Sequence, residues 1–364
     1  MNKPIRVGIT HGDINGIGYE VVLKAICDER IPELFTPVFY GSPQIIEKAR
    51  REFNLELLPI HIVRNQGDIK DGKLNVIEVS VTHLDVTPGV PTEVSGKAAV
   101  AALELAIAAL KREEIQVLVT APISKKAVQS DDFKFPGHTE YLHDRLGGDS
   151  GALMILYNDY LRVALVTTHM PLSAVPKAIT RERVLDKIHS FEKSLKSDFT
   201  CERPKIAVLS LNPHNGDEGL LGNEEKDEII PALEDAKNEG ILVFGPFSAD
   251  GFFAAGAFRN YDGVLAMYHD QGLAPFKAIA GETGVNYTAG LPFVRTSPDH
   301  GTAYDVAWKG KGDPTSMRQA IYKAIDLYRN RENHRLASAN PLQKARHEKG
   351  VDKTIDLSEE EITD

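Results

Sequence analysis

Short β-branched runs alternate with stretches of helical period along most of this chain, an order that commits it to βαβ units around a largely parallel sheet. Strands are predicted over Ile5 to Thr10, Pro37 to Tyr40, Gln116 to Thr120, Ile206 to Leu211, Ile241 to Phe244 and Gly263 to Tyr268. Helices are predicted over Glu20 to Asp28, Pro43 to Phe53, about Gly96 to Arg112 behind Ser95 as N-cap, a Thr180 cap to about Lys196, Glu224 to Asn238, and about Thr315 to Arg331. Leu153 to Tyr157 and Leu161 to Thr167 flank Asn158-Asp159-Tyr160, the composition of a hairpin turn. The arrangement expected is two α/β lobes around a cleft, followed beyond Ser338 by a polar tail ending in Glu359-Glu360-Glu361.

Composition narrows the partners. Net charge is -10 over 364 residues, which argues against nucleic acid or an anionic membrane surface, since phosphate backbones select clustered Lys and Arg. Two cysteines, Cys27 and Cys201, exclude a disulfide scaffold and a Cys-rich zinc module and suit a reducing compartment. No stretch approaches the roughly 18 apolar residues of a membrane span, and the first residues carry no signal-peptide pattern. A cytoplasmic, soluble protein is the expectation.

Three predicted strands run into histidine: Leu161 to Thr168 into His169, Lys205 to Pro213 into His214, and Gly263 to Tyr268 into His269. Ligands of open α/β sheets bind outside the carboxyl ends of the strands, so these three imidazoles are candidates for one metal centre that leaves positions open for substrate oxygen. Capping of local loops is the plainer alternative, and no local motif such as H-E-x-x-H decides between them. Pro136-Gly137-His138-Thr139-Glu140 opens a predicted helix, where amides, a hydroxyl and an imidazole suit phosphate or carboxylate as well as simple capping. The first βα loop, Thr10 to Glu20, holds three glycines that suit close approach of backbone to a ligand or a tight turn. It lacks the G-x-G-x-x-G order of a Rossmann fingerprint. Between Lys277 and Pro314 polar residues and glycines are dense, and Lys277 and Arg295 are cationic donors for an anion.

At these residues the sequence resembles the 4-hydroxythreonine-4-phosphate dehydrogenase family of pyridoxal phosphate biosynthesis. The resemblance rests on Gly12-Asp13 through Gly16-Ile17-Gly18, Thr120-Ala121-Pro122-Ile123-Ser124-Lys125, Gly137-His138-Thr139-Glu140, Thr168-His169-Met170-Pro171-Leu172, Leu211-Asn212-Pro213-His214, Tyr268-His269-Asp270-Gln271-Gly272-Leu273, and Asn286 through Asp305. It implies an α/β fold of two-lobed α/β/α type, like isocitrate and isopropylmalate dehydrogenases, with the active site in the interlobe cleft. The first lobe is then 1–125 plus about 290–340, the second, carrying the metal histidines, about 126–289, and the tail 341–364. It implies His169, His214 and His269 as ligands of a divalent metal (Zn, Mg or Co), and His138, Thr139, Lys277, Asn286 and Arg295 as contacts to a phosphorylated small-molecule substrate. It implies a loop of His300, Gly301, Thr302 and Asp305 around the adenosine of NAD or NADP, and a homodimer whose active site is shared between subunits. The first loop departs from the family, which usually has prolines where His11, Ile14 and Tyr19 stand and a small residue at Asn15.

The implied reaction oxidises 4-phosphooxy-L-threonine to 2-amino-3-oxo-4-phosphooxybutanoate, which decarboxylates to 3-amino-2-oxopropyl phosphate. Asp270, beside a ligand, is a candidate proton carrier or structural support, and Lys277 a candidate base or phosphate contact. Branches acting on D-threonate or D-erythronate 4-phosphate share the motifs. A metal-dependent hydrolase and a non-catalytic phospho-ligand binding protein are the rivals from other classes. Few Lys and Arg stand near the His300 loop, Lys309 and Lys311 being the close ones, which favours NAD over NADP.

Overall fold

In the computed structural model the described residues are 4–65, 67–82, 84–129, 133–135, 137–147 and 152–340. The polar tail 341–364 and Pro136 lie outside them. β1 (Arg6–Thr10) is buried along nearly its whole length and needs neighbours on both edges, which β2 (Thr36–Gly41) and β5 (Val117–Thr120) supply in parallel. β3 (Ile60–Ile62) and β4 (Leu74–Glu78) extend that side. On the other side follow β12 (Val294–Pro298), β11 (Val285–Ala289), β6 (Leu153–Tyr157), β7 (Arg162–Leu165), β10 (Gly263–Ala266), β8 (Lys205–Leu209) and β9 (Leu242–Phe247) in one continuous sheet. Strand direction reverses only around β11 and β6, where the β12–β11, β11–β6 and β6–β7 pairs are antiparallel.

Helices cover both faces because the sheet interior is apolar on both. Glu93–Lys111 lays Ala98, Ala99, Ala102, Ala106 and Ala109 inward, small side chains that let it sit close to the strands. Its N-cap is Thr92; Ser95, expected to cap, instead reciprocates from the third position of a capping box. Thr315–Ser338 crosses the middle strands with Met317, Ala320, Ile321, Ala324 and Ile325 buried. Near its end Arg331 Nε donates to Asp198 at 2.9 Å, and Tyr287 donates its hydroxyl to the same carboxylate at 2.6 Å. That buried cluster pins β11, whose neighbouring residues belong to the site below.

Several elements escaped the sequence reading. β3, β4, β11 and β12 were not predicted, nor was the helix His269–Ala280, which contains Pro275. The helix predicted from Glu224 starts as a wider π-turn over Glu225–Ile229 before becoming α-helical at Ile230. The glycines of the first loop meet protein, not an open ligand site: a Cβ on Gly12 (φ +68°) lies 2.3 Å from the Pro122 carbonyl, and one on Gly18 lies 2.1 Å from the His11 carbonyl.

His11 is fully buried against Tyr19, and among the described residues neither ring nitrogen has a hydrogen-bond partner of good geometry. Burial lowers its pKa to about 4. The unfolded chain therefore takes up a proton that the fold refuses. Stability should fall as pH drops from about 6.5 to about 4, by up to ~3 kcal/mol, and level off below. Urea midpoints at pH 7 and pH 4.5 measure this, and His11→Leu should flatten that part of the dependence.

Candidate functional site

Where the sheet changes direction, β5, β12, β11 and β6 stand side by side and a cavity of about 410 Å³ opens. Thr120 reaches it from the end of β5, Arg295 from β12 and Asn286 from β11. His138 and Thr139 begin the helix His138–Leu146 at its rim. His269 and Lys277, eight residues apart on one helix, both line a side of the cavity, a little over two turns of helix separating them. Seven of the sequence-derived metal and substrate candidates thus line one cavity: His138, Thr139, His169, His269, Lys277, Asn286 and Arg295.

Arg295 is 3% exposed. Its Nε and Nη2 donate to Thr120 Oγ1 at 3.1 and 2.6 Å, and its Nη1 donates to Thr288 Oγ1 at 3.1 Å. Among the described residues no carboxylate pairs with it; the nearby negative charge is Glu140, on the far side of His138 in sequence. Burial pulls the guanidinium down to about 10, which leaves it charged at neutral pH. A buried cation lacking a carboxylate is costly, and an anionic ligand relieves that cost. Burial, and then the charge of Arg295, hold His138 well below the usual imidazole range, so it stays neutral. Lys277 Nζ donates to the Asp299 carbonyl at 2.9 Å, and its remaining N–H groups are unassigned. Asn286 Oδ1 is buried with no partner among the described residues.

The histidines divide. β7, β10 and β8 are parallel neighbours, so His169, His269 and His214 do leave the same edge of the sheet. His169 and His269 face each other with ring centroids 5.8 Å apart. Each turns Nδ1 toward a carboxylate, His269 to Asp270 at 2.7 Å and His169 to Glu140 at 3.6 Å, which leaves both Nε2 atoms for a ligand. His214 does not join them. It stands exposed on the turn after β8, beside a second cavity of about 530 Å³ lined also by Asp250 and Tyr268. His214 to Glu218 all have left-handed backbone, a run that costs energy for non-glycine residues and needs support. Buried Glu225 supplies it by accepting from the amides of Leu211 and Asn212 at 2.7 and 2.6 Å. Among the described residues, no three His, Cys, Asp or Glu side chains gather as a metal would require.

Asp270 is 85% exposed at its side chain and sits on the outer edge of His269, away from the cavity wall. Of the proposed dinucleotide loop, His300 and Gly301 line the cavity; Thr302 is half-buried against the first glycine loop, and Asp305 is exposed outside the cavity lining. The Thr302 carbonyl accepts from Ile17 N at 3.0 Å, the Asp305 carbonyl accepts from Lys309 Nζ at 2.6 Å, and Tyr304 donates to Asp13 Oδ2 at 2.7 Å. The first glycine loop and the His300 loop therefore form one surface. Thr120, Thr288 and Ser297 lie within the motifs of the sequence but carry no site role there. Period two along β11 and β12 places Thr288 with Asn286 and Ser297 with Arg295, a signal available once those segments are read as strands.

A family model described as "Pyridoxal phosphate biosynthetic protein PdxA" matches residues 33–324. A 4-hydroxythreonine-4-phosphate dehydrogenase of Bacteroides thetaiotaomicron is 51% identical over 348 residues, covering 96% of this chain and 95% of its own. A protein of Oceanobacillus iheyensis provisionally named D-threonate 4-phosphate dehydrogenase is 39% identical, covering 90% of this chain and 99% of its own. Among solved structures, a 4-hydroxythreonine-4-phosphate dehydrogenase from Klebsiella pneumoniae superposes with a TM-score of 0.78 at 32% identity, covering 90% of this chain and 98% of its own. The α/β fold is thus that of these enzymes. With its cavity of cationic, hydroxyl and imidazole groups and this similarity across nearly its whole length, the chain belongs to the 4-hydroxythreonine-4-phosphate dehydrogenase family.

Proposed function

We propose that this enzyme oxidises 4-phosphooxy-L-threonine with NAD, assisted by a divalent metal, to the β-keto acid that decarboxylates to 3-amino-2-oxopropyl phosphate. The observation that carries the reading is the buried, carboxylate-free Arg295 in one cavity wall with the facing pair His169 and His269. A metal-dependent hydrolase or a phosphate-binding protein needs only part of that set.

The residues fit a metal in part. Two imidazoles with carboxylates behind them are a donor set that suits zinc or cobalt better than magnesium, and the third imidazole, His214, stands apart in the same chain. A homodimer resolves this: His214 of a second copy completes the site. Exposed Leu172, three residues after His169, and exposed Leu220 and Leu221, close after His214, are apolar surface beside both half-sites that such an interface covers. The orphaned Nε2 of His300 and the open space at Gly301, where a Cβ meets nothing within 4 Å, fit a flat adenosine.

A divalent metal held by the histidines would supply Lewis-acid chemistry at the substrate's hydroxyl oxygen, and the nicotinamide of a dinucleotide held at His300 and Gly301 would supply the hydride acceptor. The chain's own residues do the placing. Arg295, with His138, Thr139 and Lys277, holds the phosphate; Asn286 offers its unpartnered Oδ1 to a substrate donor. Asp270 holds the His269 ring by its Nδ1, a positioning part rather than a proton carrier at the reacting atoms.

Absorbance at 340 nm on mixing enzyme, NAD and 4-phosphooxy-L-threonine, with and without chelator, tests the reading. Faster turnover of D-threonate 4-phosphate would move the chain to that branch, and no signal with any phosphorylated acid would end the dehydrogenase reading. Gly301→Val should weaken NAD binding at least tenfold by calorimetry. It should change phosphate affinity little, because His138, Thr139, Lys277 and Arg295 stand on other elements. Lys309 is turned back on Asp305, so NADP should bind more weakly than NAD.

A further inference from the structure

We propose that Thr120 and Thr288 are positioning residues that aim Arg295, so that the phosphate specificity of the site depends on two hydroxyls that themselves need not hold the phosphate. The proposal rests on the reading of Arg295 as the phosphate ligand. A guanidinium has five N–H donors. Three are taken here, Nε and one on Nη2 by Thr120 Oγ1, and one on Nη1 by Thr288 Oγ1. One donor is left on each terminal nitrogen, the pair that two phosphate oxygens can accept together.

The usual device for fixing a buried arginine is a carboxylate, which would also cancel the charge the ligand needs. Hydroxyl oxygens fix the same plane without neutralising it. Thr120 ends β5, and Thr288 stands on β11, so the two hydroxyls grip the guanidinium from the strands on either side of β12. Thr288 Oγ1 also lies 3.4 Å from Thr139 Oγ1, which links the grip to the start of the helix carrying His138. Both threonines are buried, with relative exposures of 0%. The β-branched side chain has few rotamers to lose in a strand, so the hydroxyl is held in place by sterics alone.

The test uses the full-length protein and compares Thr120→Val, Thr288→Val and Thr120→Ser with the parent. Valine keeps shape and burial but removes the acceptor. Thr120→Val, which strands two N–H groups, should raise KM for 4-phosphooxy-L-threonine and weaken inorganic phosphate binding by roughly tenfold or more, and Thr288→Val by a smaller factor. Thr120→Ser should restore both. kcat at saturating substrate should change less than KM. Lowered thermal stability with unchanged phosphate affinity would reduce the threonines to packing residues and overturn the proposal. Arg295→Ala separates the two levels. If it leaves phosphate binding unchanged, the reading of the site fails; if it weakens binding while both valine variants do not, only the positioning role fails.

Discussion

Arg295→Ala should raise KM for 4-phosphooxy-L-threonine by roughly 10- to 150-fold. A hydrogen bond to a charged group is worth about 1.5–3 kcal/mol and each ~1.4 kcal/mol is a factor of ten. The direction follows from the environment. The guanidinium is already desolvated in the free protein and has no carboxylate partner, so phosphate binding gains a charge-assisted contact without having to displace an internal ion pair. Arg295→Lys should recover little, because an ammonium cannot reach both Thr120 and Thr288 in one plane while presenting two parallel donors. Oxidation of threonine lacking the phosphate should be equally poor in parent and variant. Steady-state kinetics with both substrates check this, and equal KM values for the phosphorylated acid in parent and Arg295→Ala would remove the phosphate from this cavity.

The candidate metal and phosphate residues are readable in the sequence because they stand at punctuation. His169, His214 and His269 each follow an apolar run that ends in a sheet, and the edge they share follows from strands being parallel. What spacing does not carry is convergence. His214 opens a run of five left-handed residues, a conformation that no periodicity announces, and it stands beside a different cavity from its two counterparts. β11 and β12 were missed for a related reason. Asn286, Arg295 and Ser297 are polar because that face of the two strands lines the cavity, with Thr288 buried behind them against Arg295, which erases the continuous apolar run that marks a strand elsewhere in the chain. Of the two readings open to the first-loop glycines, their contacts favour the tight turn: an added Cβ would meet Pro122 at Gly12, Thr302 at Gly16 and His11 at Gly18.

His214→Asn should abolish turnover, by a factor of at least about a thousand, and lower metal content, while the fold stays intact. The side chain is exposed and asparagine tolerates left-handed backbone, so neither packing nor φ is disturbed. The informative result comes from mixing. If one copy supplies His169 and His269 and the other supplies His214, a His214→Asn chain paired with a His169→Ala chain has one site carrying both defects and one carrying neither. Unfolding and refolding an equimolar mixture of the two inactive variants should then restore about a quarter of the parent activity, since about half the dimers are mixed and each has one intact site. If all three histidines had to come from one chain, every site in the mixture would carry a defect and no activity would return. Metal content, measured on the same mixture, should rise in the same proportion and so separates rebuilt sites from contaminating parent enzyme.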